Sequence, residues 1–245
     1  MTITHLLLDI EGTTCPVSFV SEVLFPYARQ SLSSFLTEHR NDINLAHLLE
    51  SAEQEWDADS SSDSINLRKR TKDAGLTPTN AIRMYFEHLI DIDRKSTALK
   101  DLQGRIWKNG YERGEITSQL FNETAESLRR WHSKNFSLSV YSSGSIQAQK
   151  LLYSHTAEGD LEHLFDHWFD THTGSKKEVE SYRRIAKEIN SKSSNILFIS
   201  DNGDECDAAK ASGMQTLFSL RDGNPDQNPR GHRVIKSLND VDAHL

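Results

Sequence analysis

Apolar positions fall into two textures along this chain. Leu6-Leu7-Leu8 is an unbroken apolar run that stops on Asp9, which predicts a buried strand running into a loop. From about residue 17 to 126 the spacing turns helical, with almost no strand pattern. Val20, Val23 and Leu24 form one apolar face, and Tyr27, Leu32, Phe35 and Leu36 form the next, with Pro26 expected to break or kink the pair. Leu45, Leu48, Leu49 and Ala52 repeat at helical intervals. Ile82, Tyr85, Phe86, Leu89 and Ile90 do so behind a candidate cap at Asn80, and Leu99, Leu102 and Ile106 behind one at Ser96 or Thr97. The polar stretch from Asp57 to Ser64 reads as a flexible connector.

From about residue 127 helix and strand alternate. Leu128 and Trp131 mark a helix, 136–141 a strand, Ile146–Leu152 a helix, Trp168-Phe169 a short strand and 179–189 a helix. Strands follow at 195–200 and 214–218. Such alternation implies parallel βαβ units. The strand at 5–9 has no partner near it in sequence, so it joins this later sheet and the helical block becomes an insertion. The expected organisation is an α/β core of residues 1–16 and 127–245, interrupted by an all-helical segment at 17–126.

Composition narrows the function classes. The 245 residues carry 28 Lys+Arg against 36 Asp+Glu, a net charge of −8, with no basic stripe, which argues against nucleic acid or an anionic membrane as partner. An anionic substrate would need local positive charge. No segment approaches a membrane-spanning apolar run, and the Leu6–Leu8 run is too short for a signal sequence. Cys15 and Cys206 form neither a metal-type spacing nor a disulfide framework, so the expected location is the cytoplasm. Nothing resembles an interface stripe, and a monomer is expected.

The chemistry gathers at strand ends, where open α/β sheets carry their sites. Asp9 and Glu11 can point the same way if extended geometry persists past Ile10, and two such carboxylates suit Mg²⁺, which prefers oxygen ligands. Ser142-Ser143-Gly144-Ser145 follows a strand and leads into a helix, as a phosphate cradle or as an ordinary helix cap. Asp201, Asp204, Glu205 and Asp207 follow another strand, where acidic residues also suit a helix's first turn. Gly174-Ser175-Lys176 is expected to open a helix, a position where a lysine opposes the dipole.

Taken in order, Asp9-x-Glu11-Gly-Thr-Thr14, Ser142, Lys176 and Asp201–Glu205 resemble the haloacid dehalogenase superfamily. Within it, Asp9-Ile-Glu-Gly-Thr-Thr14 is similar to the acireductone synthase family, the bifunctional enolase-phosphatases of methionine salvage. So are Phe25-Pro-Tyr-Ala28, Leu102-Gln-Gly-x-Ile-Trp107, Tyr141–Lys150, Phe169-Asp-Thr171, Glu180-Ser-Tyr182 and Ala211–Thr216. The departure from most superfamily phosphatases is Glu11, which stands where they carry Asp.

That resemblance implies a Rossmann-like three-layer core with a parallel sheet and an inserted helical cap. It implies enolisation of 2,3-diketo-5-methylthiopentyl-1-phosphate followed by dephosphorylation, with one Mg²⁺ per subunit. Asp9 would be nucleophile and metal ligand, Asp201 a second carboxylate ligand, and Glu11 a ligand through its backbone carbonyl and an acid/base through its side chain. Ser142 and Ser143 would bind phosphate or substrate oxygens, and Lys176 would neutralise phosphate and Asp9. The polar residues after Asp201 leave open whether Asp204 or Glu205 supports the metal. Trp107 and Tyr27 are candidates for reading the methylthio end, or core residues. Two alternatives stand: a phosphatase for another small phosphate ester, and a non-catalytic phospho-receiver-like module.

Overall fold

The computed structural model describes residues 2–92, 94 and 96–245. By internal contacts the chain divides into two units: Met1–Glu22 with Gly114–Leu245, and Val23–Arg113.

The first unit is built on a six-stranded parallel sheet. Its strands are β1 (His5–Leu8), β2 (Ser137–Tyr141), β3 (His167–Phe169), β4 (Ile196–Ser200), β5 (Gln215–Ser219) and β6 (Arg233–Ile235), in the order β3-β2-β1-β4-β5-β6. β1 lies in the middle, with Leu8 paired to Val140 on one side and Ile199 on the other. All five residues of β4 are buried, as expected of a parallel strand covered on both faces. On one face α8 (Val179–Glu188) and α9 (Gly203–Ala211) bury Tyr182, Ile185, Cys206 and Ala209 against Leu7, Tyr141, Phe198 and Phe218. Elsewhere on the sheet, α6 (Thr124–Ser133) packs on β2 and α7 (Ile146–Ser154) on β3. The sheet order reverses direction between β1 and β4, the topological switch point where such folds open a crevice beyond the strand ends.

Among the described residues, Val23–Arg113 holds five helices: α1 (Phe25–Glu38), α2 (Ile43–Ala58), α3 (Ser62–Asp73), α4 (Pro78–Asp91) and α5 (Thr97–Glu112). Their core includes Leu32, Leu48, Trp56, Tyr85, Phe86 and Leu102, with Trp56 stacked on Tyr85 at 4.7 Å between centroids. A π-helical turn, Phe19–Leu24, runs directly into α1, and Pro26 sits just beyond it. A proline has no N–H for the bond four residues back, so the widened turn falls where the regular ladder must fail.

Two local expectations give way. The stretch expected as a flexible connector contains the start of α3, with Ser61 as its cap, and a buried Asp59. The cap of α4 is Thr77, whose Oγ1 accepts from Asn80 N, so Asn80 lies inside the first turn behind Pro78. At α5 the cap is Ser96. Among the described residues, no helix is long and apolar enough to cross a membrane.

Candidate active site

Asp9 follows the last residue of β1, and its N–H still donates to Ile199 O at 3.0 Å, so it stands beside Ser200 at the end of β4. Extended geometry stops there. Thr13, Thr14 and Cys15 N–H all turn back onto Ile10 O, and Gly12 takes φ +68°. A Cβ at Gly12 would lie 2.1 Å from Asp201 Oδ2, so only glycine lets the loop backbone approach that carboxylate. Ser219 Oγ and Asn224 Nδ2 each donate to Gly12 O at 2.9 Å, and the Arg221 guanidinium donates to Thr13 O at 3.2 Å. Side chains from the end of β5 and the loop after it therefore clamp the loop that carries Glu11.

Asp9 is held on both oxygens. Oδ1 accepts from Ile10 N at 2.8 Å and from Lys176 Nζ at 2.6 Å, and Oδ2 accepts from Ser200 Oγ at 3.1 Å. Lys176 also contacts Glu205 Oε2 at 2.7 Å. Only 9% of the lysine side chain is exposed, and although burial alone would lower its pKa, Asp9 and Glu205 raise it above the ordinary value. Its backbone is pinned by Tyr182 OH donating to Lys176 O at 2.7 Å, and its ammonium lies 5.8 Å from the Tyr141 ring centre. Lys176 does not open a helix, as the sequence suggested. It sits in a turn before α8, which begins at Val179 and carries Ser181, and the oxygen of Ser181 would lie 2.2 Å from a Cβ on Gly174.

Asp201 is buried at the end of β4, and its carboxyl is pushed up to about 8. Burial is the first cause, followed by the charge of Asp9, with Glu205 and Glu11 adding and Lys176 opposing. Glu205 is likewise raised, by burial first, against the pull of Lys176. Its neighbour Asp204 turns outward to Lys177 and Arg230, so Glu205 is the acidic residue of α9 that joins the cluster. Asp9 and Glu205 thus share one ammonium, with the Asp201 carboxyl crowded against both, an arrangement that a hard divalent cation with oxygen ligands relieves. Among the described residues no three His, Cys, Asp or Glu side chains converge as a ligand set. Two carboxylates and a backbone carbonyl fit Mg²⁺, which retains several waters.

Ser142 and Ser143 lie just past β2, the strand beside β1. Ser142 is buried, and its Oγ accepts from Gly144 N at 3.3 Å, which leaves the hydroxyl proton to donate; Ser143 is exposed. The cap of α7 is Ser145, not either of these. In the helical unit Trp107 donates to Leu24 O at 2.8 Å, and the Tyr27 ring fills the space beside Gly110.

Residues 3–213 match the model of the haloacid dehalogenase-like hydrolases. The chain is 71% identical to enolase-phosphatase E1 of Parasynechococcus marenigrum (strain WH8102), with 100% of each covered. This chain belongs to the enolase-phosphatase family. Enolase-phosphatase E1 of Synechococcus sp. (strain CC9605) is 55% identical over 98% of this chain and 97% of its own. The crystal structure of the UTR4 protein of Saccharomyces cerevisiae is 31% identical, with a TM-score of 0.76 over 96% of this chain and 98% of that one. In this enolase-phosphatase family member the strand-end carboxylates, Lys176 and the loop that turns at Gly12 meet at the carboxyl edge of the sheet. Sequence reasoning left Ser200 and the clamp of Ser219, Arg221 and Asn224 unassigned. The available signal was a serine closing the apolar run of β4.

Proposed function

We propose that this chain is an acireductone synthase: it enolises 2,3-diketo-5-methylthiopentyl-1-phosphate and then hydrolyses the phosphate to give 1,2-dihydroxy-3-keto-5-methylthiopentene. The observation that carries the phosphoryl-transfer half is Asp9, held at the switch point between Lys176 and Ser200 with Asp201 beside it. The substrate comes from the family, whose named relatives span the whole chain.

Asp9, Asp201 and the Glu11 carbonyl would hold one Mg²⁺ per subunit, which supplies positive charge where the phosphate and the enolate oxygen carry negative charge. In the first half-reaction a base removes the proton alpha to a carbonyl, and the electron pair moves to the carbonyl oxygen. The Glu11 side chain is the candidate for that proton or for the one delivered to the leaving oxygen. In the second half-reaction an Asp9 oxygen attacks phosphorus. The new O–P bond forms as the ester P–O bond breaks, and the bond's electron pair leaves on the substrate oxygen, which takes a proton. Water then attacks the aspartyl phosphate, releasing inorganic phosphate and restoring the carboxylate. Ser142 and Ser143 hydroxyls bind phosphate oxygens, and Lys176 neutralises phosphate while fixing Asp9. The helical unit acts as the cap that excludes water, and the protein works as a monomer.

The test is turnover of the diketone phosphate against a panel of sugar phosphates, with the enol chromophore and free phosphate followed separately. We expect both signals from the diketone phosphate with Mg²⁺ and neither after exhaustive chelation. Phosphate release from a sugar phosphate without enolisation of the diketone would favour a simple phosphatase. No turnover of any ester would leave a receiver-like module.

A further inference from the structure

We infer that Ser200 is a positioning residue for the phosphoryl-transfer half-reaction, keeping Asp9 and Lys176 in register through one shared hydroxyl proton. The inference rests on the functional reading above. Ser200 Oγ lies 3.1 Å from Asp9 Oδ2 and 2.8 Å from Glu205 Oε2, and it accepts from Asn202 N at 3.2 Å. Lys176 closes the circuit, 2.6 Å from Asp9 Oδ1 and 2.7 Å from the same Glu205 oxygen. Lys176, Asp9, Ser200 and Glu205 therefore form a ring in which each member touches its two neighbours.

The backbone fixes where that hydroxyl sits. Ser200 ends β4, next to the Leu8–Ile199 pair, and is fully buried. A strand end is a more precise platform than a loop, and the Asn202 N–H occupies one of the oxygen's acceptor positions. A hydroxyl has one proton, so Ser200 donates to one carboxylate at a time. In the resting enzyme the proton alternates between Glu205 at 2.8 Å and Asp9 at 3.1 Å, and its donation to Asp9 sets the plane from which one oxygen attacks. Once Asp9 carries the phosphoryl group, that carboxyl has lost its negative charge and is the poorer acceptor. The proton then turns to Glu205, whose charge persists and which still grips Lys176. The lysine is thereby held through both attack and hydrolysis, without any new group entering the site.

The fold supplies its own control. Ser139 is another fully buried strand serine, on β2, and its hydroxyl has no hydrogen-bond partner. Ser139→Ala removes the same atom without breaking the ring.

The experiment uses the full-length protein with Mg²⁺ and the diketone phosphate, comparing wild type with Ser200→Ala, Ser200→Thr and Ser139→Ala. Since misplacement near 1 Å can cost ~10²-fold, Ser200→Ala should lower kcat for phosphate release by about 10- to 100-fold. KM should barely move, and enol formation should stay near wild type, so the enol chromophore accumulates. Ser200→Thr, which keeps the hydroxyl, should recover most of the lost rate, and Ser139→Ala should match wild type. Thermal unfolding of each variant runs alongside. Phosphate release by Ser200→Ala at the wild-type rate overturns the inference. So does an equal loss in both half-reactions that Thr does not rescue and that tracks a lowered Tm, which marks a merely structural serine. Wild-type protein that releases no phosphate overturns the functional reading itself, whereas active wild type with an unimpaired Ala variant overturns the role of Ser200 alone.

Discussion

Asp59 in the helical unit and Asp201 in the α/β unit are each 8% exposed, yet their environments move them in opposite directions. Burial works to raise both. At Asp59 it is outweighed by hydrogen bonds from the Ser64 hydroxyl, the Arg94 guanidinium 2.6 Å away and Ser61, and the carboxyl is held well below the usual range. At Asp201 burial is reinforced by Asp9, Glu205 and Glu11 against one lysine, and the carboxyl rises to about 8. Depth therefore does not distinguish a structural carboxylate from a reactive one; the balance of donors and charges does. Asp59 ties the start of α3 to the segment before α5. Asp201 is left short of positive charge, a condition that costs stability and favours a bound cation.

The comparison predicts large catalytic effects on one side and purely conformational ones on the other. On the proposed mechanism Asp9→Asn removes the nucleophile and should depress phosphate release by at least ~10³-fold, about 4 kcal/mol of transition-state stabilisation. A variant retaining a tenth of the rate would rule out covalent catalysis by Asp9. Glu11→Asp withdraws the carboxylate by roughly one C–C bond, ~1.5 Å, and should cost ~10²-fold in one half-reaction while leaving metal binding intact. Enol and phosphate readouts name which half, and two unchanged rates would make Glu11 dispensable. Asp59→Ala should instead lower stability by about 1–3 kcal/mol, leaving donors without their acceptor, with turnover unaffected below the transition. Because the Asp59 carboxyl is depressed in the fold, its contribution is present above the unfolded carboxylate range near ~4 and is lost as pH falls below it. Acid titration of the helical signal in wild type and Asp59→Ala checks this, and parallel acid profiles would contradict it.

Much of this contrast was legible in the sequence on the α/β side and little of it on the helical side. The run Leu6–Leu8 ending on Asp9, and the run 195–200 before Asp201, each carry a strand and its terminal carboxylate in adjacent residues. Glycine at position 12 has a reason visible only in three dimensions, the approach of Asp201 from a strand far along the chain. Lys176 reads as a misplaced helix-start lysine because its real partners, Asp9 and Glu205, come from β1 and α9. Asp59 was hidden for a different reason. Polar Asp57–Ser64 has the composition of a linker, but Ser61 caps α3 and Asp63 sits in its first turn, so the same polar residues that suggest flexibility begin a helix. α3 buries Leu67 with Ser64 and Thr71, too few apolar positions for periodicity to betray it.

The strand-end carboxylates are crowded together at a cost in stability. The most direct test is the thermal unfolding midpoint of metal-free wild type and Asp201→Asn, followed from about pH 5 to about pH 9. A carboxyl raised to about 8 in the fold binds a proton that the unfolded chain has already released, so this group's contribution falls as pH rises through that window. Wild type should therefore lose stability relative to Asp201→Asn with rising pH, and the variant should melt at or above the wild-type midpoint near neutrality. A variant that melts more than ~4 °C lower across the range, roughly 1 kcal/mol or more for a chain of this size, would show that Asp201 is a stabilising carboxylate like Asp59 and would contradict the account.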